Sequence, residues 1–121
     1  MKSFVLAGAM AAAVWAMPQT GSAASMLDCS QERAIQSQNS SASTSITFRA
    51  VGENDETQFK IYWLDYKGKR VFYKHIFAGD VYRQPTYLTH PWLVTAPEPG
   101  GGELCIAIYV PGSSGNVITL D

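Results

Sequence analysis

Two cysteines and two histidines are too few for a zinc ribbon, and no metal site is expected. Basic charge is scarce as well. Nine Lys+Arg stand against ten Asp+Glu, a net charge of -1, so no basic field neutralises a phosphate backbone and nucleic-acid binding is not expected. No apolar run reaches the roughly 20 residues that a membrane-crossing helix needs. A G-x-S-x-G elbow is missing, and the serines gather in a polar stretch before residue 46, so nucleophilic catalysis through His75 or His90 has no signature. Asp65 and Asp80 both fall at turn positions, where aspartate is ordinary turn chemistry rather than half of a glycosidase pair. Neither an enzyme nor a cofactor is expected. At 121 residues there is room for one domain, and 12% aromatics is too many for a disordered chain.

What is present begins with an export pattern. Lys2 precedes an uncharged, mostly apolar run from Phe4 to Met17, and Gly21-Ser22-Ala23-Ala24 supplies small residues after it. Residues 1–24 read as a secretory signal peptide cut after Ala23 or Ala24. The expected location is therefore exported, periplasmic or secreted, with no membrane association after cleavage. Asp28 stands before Cys29 where a lipid-attachment signal takes a small residue. The remaining chain divides into a polar leading segment (25–36), with one helical turn near Glu32–Ile35, and a domain (37–121). In an oxidising compartment two cysteines in a small domain favour a bridge, here Cys29–Cys105. The other reading leaves Cys105 buried in the strand L-C-I-A-I and Cys29 free.

From residue 45 onward the pattern is β. Ile46, Phe48 and Ala50 alternate with Ser45, Thr47 and Arg49, and Phe59, Ile61 and Trp63 alternate with Lys60, Tyr62 and Leu64. Asp65-Tyr66-Lys67-Gly68 has the chemistry of a type I turn with a glycine bulge. Further strands are expected at 70–77, 81–86, 92–95, 104–110 and 117–120, with Ala96–Gly102 as a flexible loop. Seven short strands at this spacing indicate an all-β protein, a seven-stranded antiparallel β-sandwich.

The most informative stretch is IYWLDYKGKRVFYKHIFAGDVYRQPTYLTHPWLVT, residues 61–95. Trp63, Tyr66, Tyr73, Tyr82, Tyr87 and Trp92 crowd into it, interleaved with Thr86, Thr89, His90 and Pro91. Aromatic walls carrying a few hydroxyl and imidazole groups make small concave binding sites. The same residues also serve as core and as sheet formers, and Trp/Tyr platforms stack on sugars. A structural or accessory domain and a carbohydrate-binding module therefore stand beside a peptide-binding one.

The order of these residues resembles the β domain of the von Hippel–Lindau tumour suppressor family. The likeness runs through S-Q-N-S (Ser37–Ser40), I-T-F (Ile46–Phe48), W-L-D-Y-K-G (Trp63–Gly68), F-Y (Phe72–Tyr73), F-A-G (Phe77–Gly79), T-Y-x-x-H-x-W (Thr86–Trp92) and Y-V-P-G-S (Tyr109–Ser113). It spans roughly residues 36–121. The family fold is a seven-stranded β-sandwich, and its β domain receives a peptide containing 4-hydroxyproline. The resemblance places the ligand pocket on Trp63, Tyr73, Pro85, Thr86, Tyr87, His90 and Trp92. A pyrrolidine ring suits a box of aromatic faces, and its hydroxyl needs the donor and acceptor that Thr86 and His90 supply. Three residues depart from the family: Pro85 stands in place of His, Lys74 in place of Pro, and Asp65 in place of Asn. Thr86 stands for Ser and keeps the hydroxyl. The helical domain that recruits elongin and a ubiquitin ligase has no counterpart in the sequence, so that machinery is not an expected partner.

Overall fold

The computed structural model describes residues 22–54 and 56–121, so the apolar run read as a leader lies outside the described residues. Among the described residues eight strands form two sheets: β1 (Ser25–Leu27), β2 (Ser43–Ala50), β3 (Gln58–Leu64), β4 (Arg70–Phe77), β5 (Val81–Tyr87), β6 (Trp92–Pro97), β7 (Glu103–Val110) and β8 (Val117–Leu120). The five-stranded sheet runs β1-β7-β6-β3-β4, and the three-stranded sheet runs β5-β2-β8. The class is all-β and sandwich-like, as expected, with two differences.

One strand more than the seven expected stands among the described residues, because Ser25–Leu27 pairs antiparallel with Ile108–Val110. Three residues are too short to show an alternating pattern, which hides this strand in the sequence. Nor is every pair antiparallel. Thr47–Ala50 lies parallel to Val117–Leu120. A parallel neighbour needs a long crossover, and here strands β3 to β7 intervene between the two. The buried Asn116 side chain fixes the crossing: it accepts from Gly112 N at 2.8 Å and donates to the carbonyls of Gly112 (2.7 Å) and Ser45 (2.9 Å).

Alternation determines the core. Ile46, Phe48 and Ala50 of β2 face Phe59 and Ile61 of β3, Ile76 of β4, Trp92 and Val94 of β6, and Ala107 and Tyr109 of β7. Leu64, Leu93 and Ile108 point to the other side of the large sheet, where Leu27, Ile35 and Cys105 cover them. The leading segment is thus a lid on that face. It carries a 3-10 helix, Cys29–Ala34, close to the expected helical turn, with the Asp28 carboxylate accepting from Ser30 N at 3.0 Å. Cys29 and Cys105 are joined as expected, with Cα atoms 6.2 Å apart. The bridge closes a loop of 76 residues, for which chain entropy sets an upper bound of about 4–5 kcal/mol. Strands β6 and β7 extend into the Pro/Gly-rich segment and leave only a tight turn, where Gly101 N donates to Glu98 O at 2.9 Å.

Candidate functional site

Strands β4 and β5 are consecutive in the chain, yet each is the free edge of a different sheet. The turn Ala78–Asp80 carries the chain across. Phe77 N donates to the Asp80 carboxylate at 2.8 Å, and Gly79 adopts φ 94°, a left-handed conformation that glycine takes without a Cβ penalty. Away from this turn the two edges leave an open seam, and the residues singled out from the sequence gather there.

Three local devices aim them. Trp63 is the last inward residue of β3. Next, the 65–69 turn closes as its sequence implies, Gly68 N donating to Asp65 O at 2.9 Å and the Asp65 carboxylate accepting from Lys67 N (2.8 Å) and Lys69 N (2.9 Å). These bonds to Lys69 and Lys67 hold the Asp65 carboxyl below its ordinary pKa, and the turn swings Tyr66 beside Trp63. Finally, β4 is bulged. Ile61 pairs with Lys74 and Tyr62 with Phe72, so Tyr73 is the extra residue. A bulge re-aims side chains, and it turns Tyr73 toward Trp92 (centroids 4.9 Å apart, 84° between planes) and Trp63 (6.4 Å, 77°). Without that extra residue, strand alternation would point Tyr73 to the opposite face.

Trp63, Tyr73, Pro85, Thr86, Tyr87, His90 and Trp92 all line one concavity of about 150 Å³. Tyr66 and Gln84 line it too and were missing from the sequence-based set. Gln84 was legible: it lies two residues before Thr86, hence on the same face of β5. Tyr66 stood in the aromatic block but in a turn, where periodicity gives no direction.

The residues differ in their roles. Trp92 is 2% exposed and belongs to the core, so it forms the floor rather than an open wall; Tyr73, 41% exposed, is rim. Thr86 Oγ1 accepts from Trp92 Nε1 at 2.9 Å, which leaves the Thr86 proton to donate elsewhere. The His90 ring lies tilted against Trp63 (5.4 Å, 32°) and edge-on to Tyr66 (5.5 Å). Its Nε2 is a long 3.4 Å from Tyr66 Oη. Burial pushes the imidazole below its ordinary pKa, opposed by the Gln38 backbone carbonyl, and keeps it neutral at pH 7. Trp63 Nε1 is buried and has no hydrogen-bond partner among the described residues. The Pro85 carbonyl accepts from Gln84 Nε2 at 2.7 Å. Its second lone pair is free to accept a ligand N–H.

The backing comes from Ser37–Gln38. Ser37 Oγ donates to Leu64 O at 2.6 Å, and Thr89 Oγ1 donates to Gln38 O. The site thus combines aromatic walls, an unused hydroxyl proton and a neutral imidazole.

A second concavity, about 180 Å³, lies elsewhere on the large sheet and is lined by Gln58, Lys60, His75, Thr95 and Glu103 among others. Its carboxylate is fully engaged: Glu103 accepts from Tyr62 Oη (2.6 Å), Thr95 Oγ1 (2.9 Å) and Lys60 Nζ (3.1 Å). The Tyr62 hydroxyl, then Thr95 and Lys60, lower its pKa to about 2 against the cost of burial. Among the described residues no three His, Cys, Asp or Glu side chains converge as a metal site, and no helix is long and apolar enough to cross a membrane. Set against known proteins, the chain matches no protein-family model and no curated protein sequence.

Proposed function

We propose that this is an exported, non-enzymatic peptide-binding domain of the von Hippel–Lindau β type, which takes a hydroxyproline ring between Trp63, Tyr73 and Trp92. The observation that supports the reading is the convergence on a single concavity of the seven side chains that the family resemblance singled out. Trp92 closes the bottom, Tyr73 and Tyr87 form the rim, and the ring hydroxyl falls to the Thr86 proton and the neutral His90 imidazole. Plain proline would leave the Thr86 proton unpaired, which costs about 1–3 kcal/mol for a buried polar group. Export accords with the Cys29–Cys105 bridge, since disulfides persist in oxidising compartments.

A structural role for the aromatics is the second reading, and the burial of Trp92 is the observation that favours it. Calorimetric titration separates the two. Peptides carrying trans-4-hydroxyproline should bind about tenfold or more tightly than their proline counterparts, and His90→Phe should remove most of that preference. Equal affinity for both peptides, or none for either across several flanking sequences, leaves the structural reading.

A further inference from the structure

The bulge that turns Tyr73 into the seam has a second consequence. In a bulge two successive residues oppose one partner and share its side of the sheet. Tyr73 and Lys74 together face Ile61, so Lys74 also lies toward the seam. Its ammonium sits 5.8 Å from the ring centroid of Tyr82. Tyr82 in turn donates to the Gln84 side chain, and Gln84 lines the ring pocket. The path from pocket to ammonium is therefore continuous along the inner face of β5.

Among the described residues no carboxylate pairs with this charge. The salt bridges among the described residues are Lys60–Glu103 and Arg70–Glu32, and neither includes Lys74. The acids on the neighbouring segments are already engaged: Asp65 in its turn, Asp80 with Phe77 N, and Glu32 with Arg70. The whole segment is polarised in the same sense. Between Tyr66 and Pro97 the sequence holds Lys67, Lys69, Arg70, Lys74 and Arg83 but one acid, Asp80, in a chain whose net charge is -1. Complementary potential across an interface sets which partner is accepted.

We propose that Lys74 forms an anionic subsite beside the ring pocket, and that the preferred ligand is a peptide with an Asp or Glu within about three residues of the ring. An extended peptide advances about 3.3 Å per residue, so a side chain within three residues of the ring reaches about 10 Å along the seam, in which Lys74 directly follows the pocket-lining Tyr73. This rests on the peptide-binding reading above. Within the resembled family a proline occupies the Lys74 position, so the subsite is a property of this chain.

The test titrates the protein with hydroxyproline peptides whose flanking residue is Glu, Gln or Lys. The Glu peptide should bind about two- to fivefold more tightly than the Gln peptide at low salt, the scale of one partly exposed ion pair, and the margin should close in high salt. Lys74→Glu should invert the order, favouring the Lys peptide, with an unchanged unfolding midpoint to show that the fold persists. Hydroxyproline-dependent binding that ignores the flanking charge overturns this subsite and leaves the pocket standing. Binding of no peptide overturns both.

Discussion

Two of the concavities along strand β3, one around Glu103 and one around Trp63, differ in an instructive way. The one around Glu103 is slightly the larger, about 180 Å³ against 150 Å³, and it holds the stronger charges. Its polar atoms nevertheless answer one another. Glu103 takes three donors, and His75 Nε2 donates to Gln58 Oε1 at 2.7 Å. At the Trp63 end hydrogen-bonding capacity is left over: an indole N–H without an acceptor among the described residues, and a hydroxyl proton to spare. A buried polar group without a partner costs free energy and needs an explanation. Volume does not distinguish a site from a structural joint; unfilled hydrogen-bonding capacity does.

If that contrast is right, damage at the Glu103 end should cost stability and spare binding. The largest effect is expected from the disulfide. Cys105 lies opposite Thr95 in the sheet and two residues from Glu103, so the bridge secures that end. Reduction, or the paired change Cys29→Ser with Cys105→Ser, should remove about 2–4 kcal/mol and lower the unfolding midpoint by about 10 °C or more. Peptide affinity of the folded protein should hold. Two titratable thiols in the native, freshly purified protein would refute the bridge itself.

Thr86 is where the contrast is most easily broken, because it belongs to both floor and site. Thr86→Val keeps the shape but strands the buried Trp92 Nε1 donor, and should destabilise by about 1–3 kcal/mol. Thr86→Ser keeps the acceptor, and should cost well under half as much while retaining hydroxyproline preference. Equal thermal midpoints for the two variants would show that the Trp92–Thr86 bond contributes nothing.

Much of this was legible in the sequence, for physical reasons. Period-two alternation at Ile46–Ala50 and Phe59–Trp63 comes directly from strand geometry, and Asp65 with Gly68 specifies its own turn. The pocket residues, by contrast, came through family resemblance, because nothing local says that Tyr73 faces Trp92. Strand alternation alone misdirects Tyr73. The bulge that corrects it depends on pairing with β3, a long-range property. The parallel β2–β8 pair is hidden for the same reason: chain direction in a sheet is set by connections, not by the strand's own residues.

Acid titration sharpens the comparison further. Glu103 is protonated only near pH 2 in the folded chain, well below the ordinary 4.5 of the unfolded one. The unfolded state therefore takes up its proton first as pH falls. Stability from Glu103 is complete above about pH 4.5 and is lost between there and about pH 2. Solvent reaches this carboxylate, which limits the loss to about 1 kcal/mol. Glu103→Gln should lower stability by that amount at pH 7 and bring its curve together with the wild-type curve near pH 2. Asp28, Glu32 and Asp65 are lowered as well, so the difference between the two curves, not the wild-type curve alone, reports Glu103. Curves that stay parallel from pH 7 to pH 2 would show that the carboxylate is not part of the joint.

The smallest expected change in stability belongs to Tyr73→Phe. The ring stays, with its edge-to-face contacts to Trp63 and Trp92, and what goes is one hydroxyl on a rim residue that is 41% exposed. Surface changes of this kind usually remain within about 0.5 kcal/mol, so the unfolding midpoint should move by no more than about 2–4 °C. Peptide affinity should respond instead, since Tyr73 lines the ring pocket. A loss of more than about 1 kcal/mol would mean that the Tyr73 hydroxyl is bonded no less tightly than the Glu103 carboxylate. The bulge would then exist to place a structural bond, and the two ends of β3 would be alike.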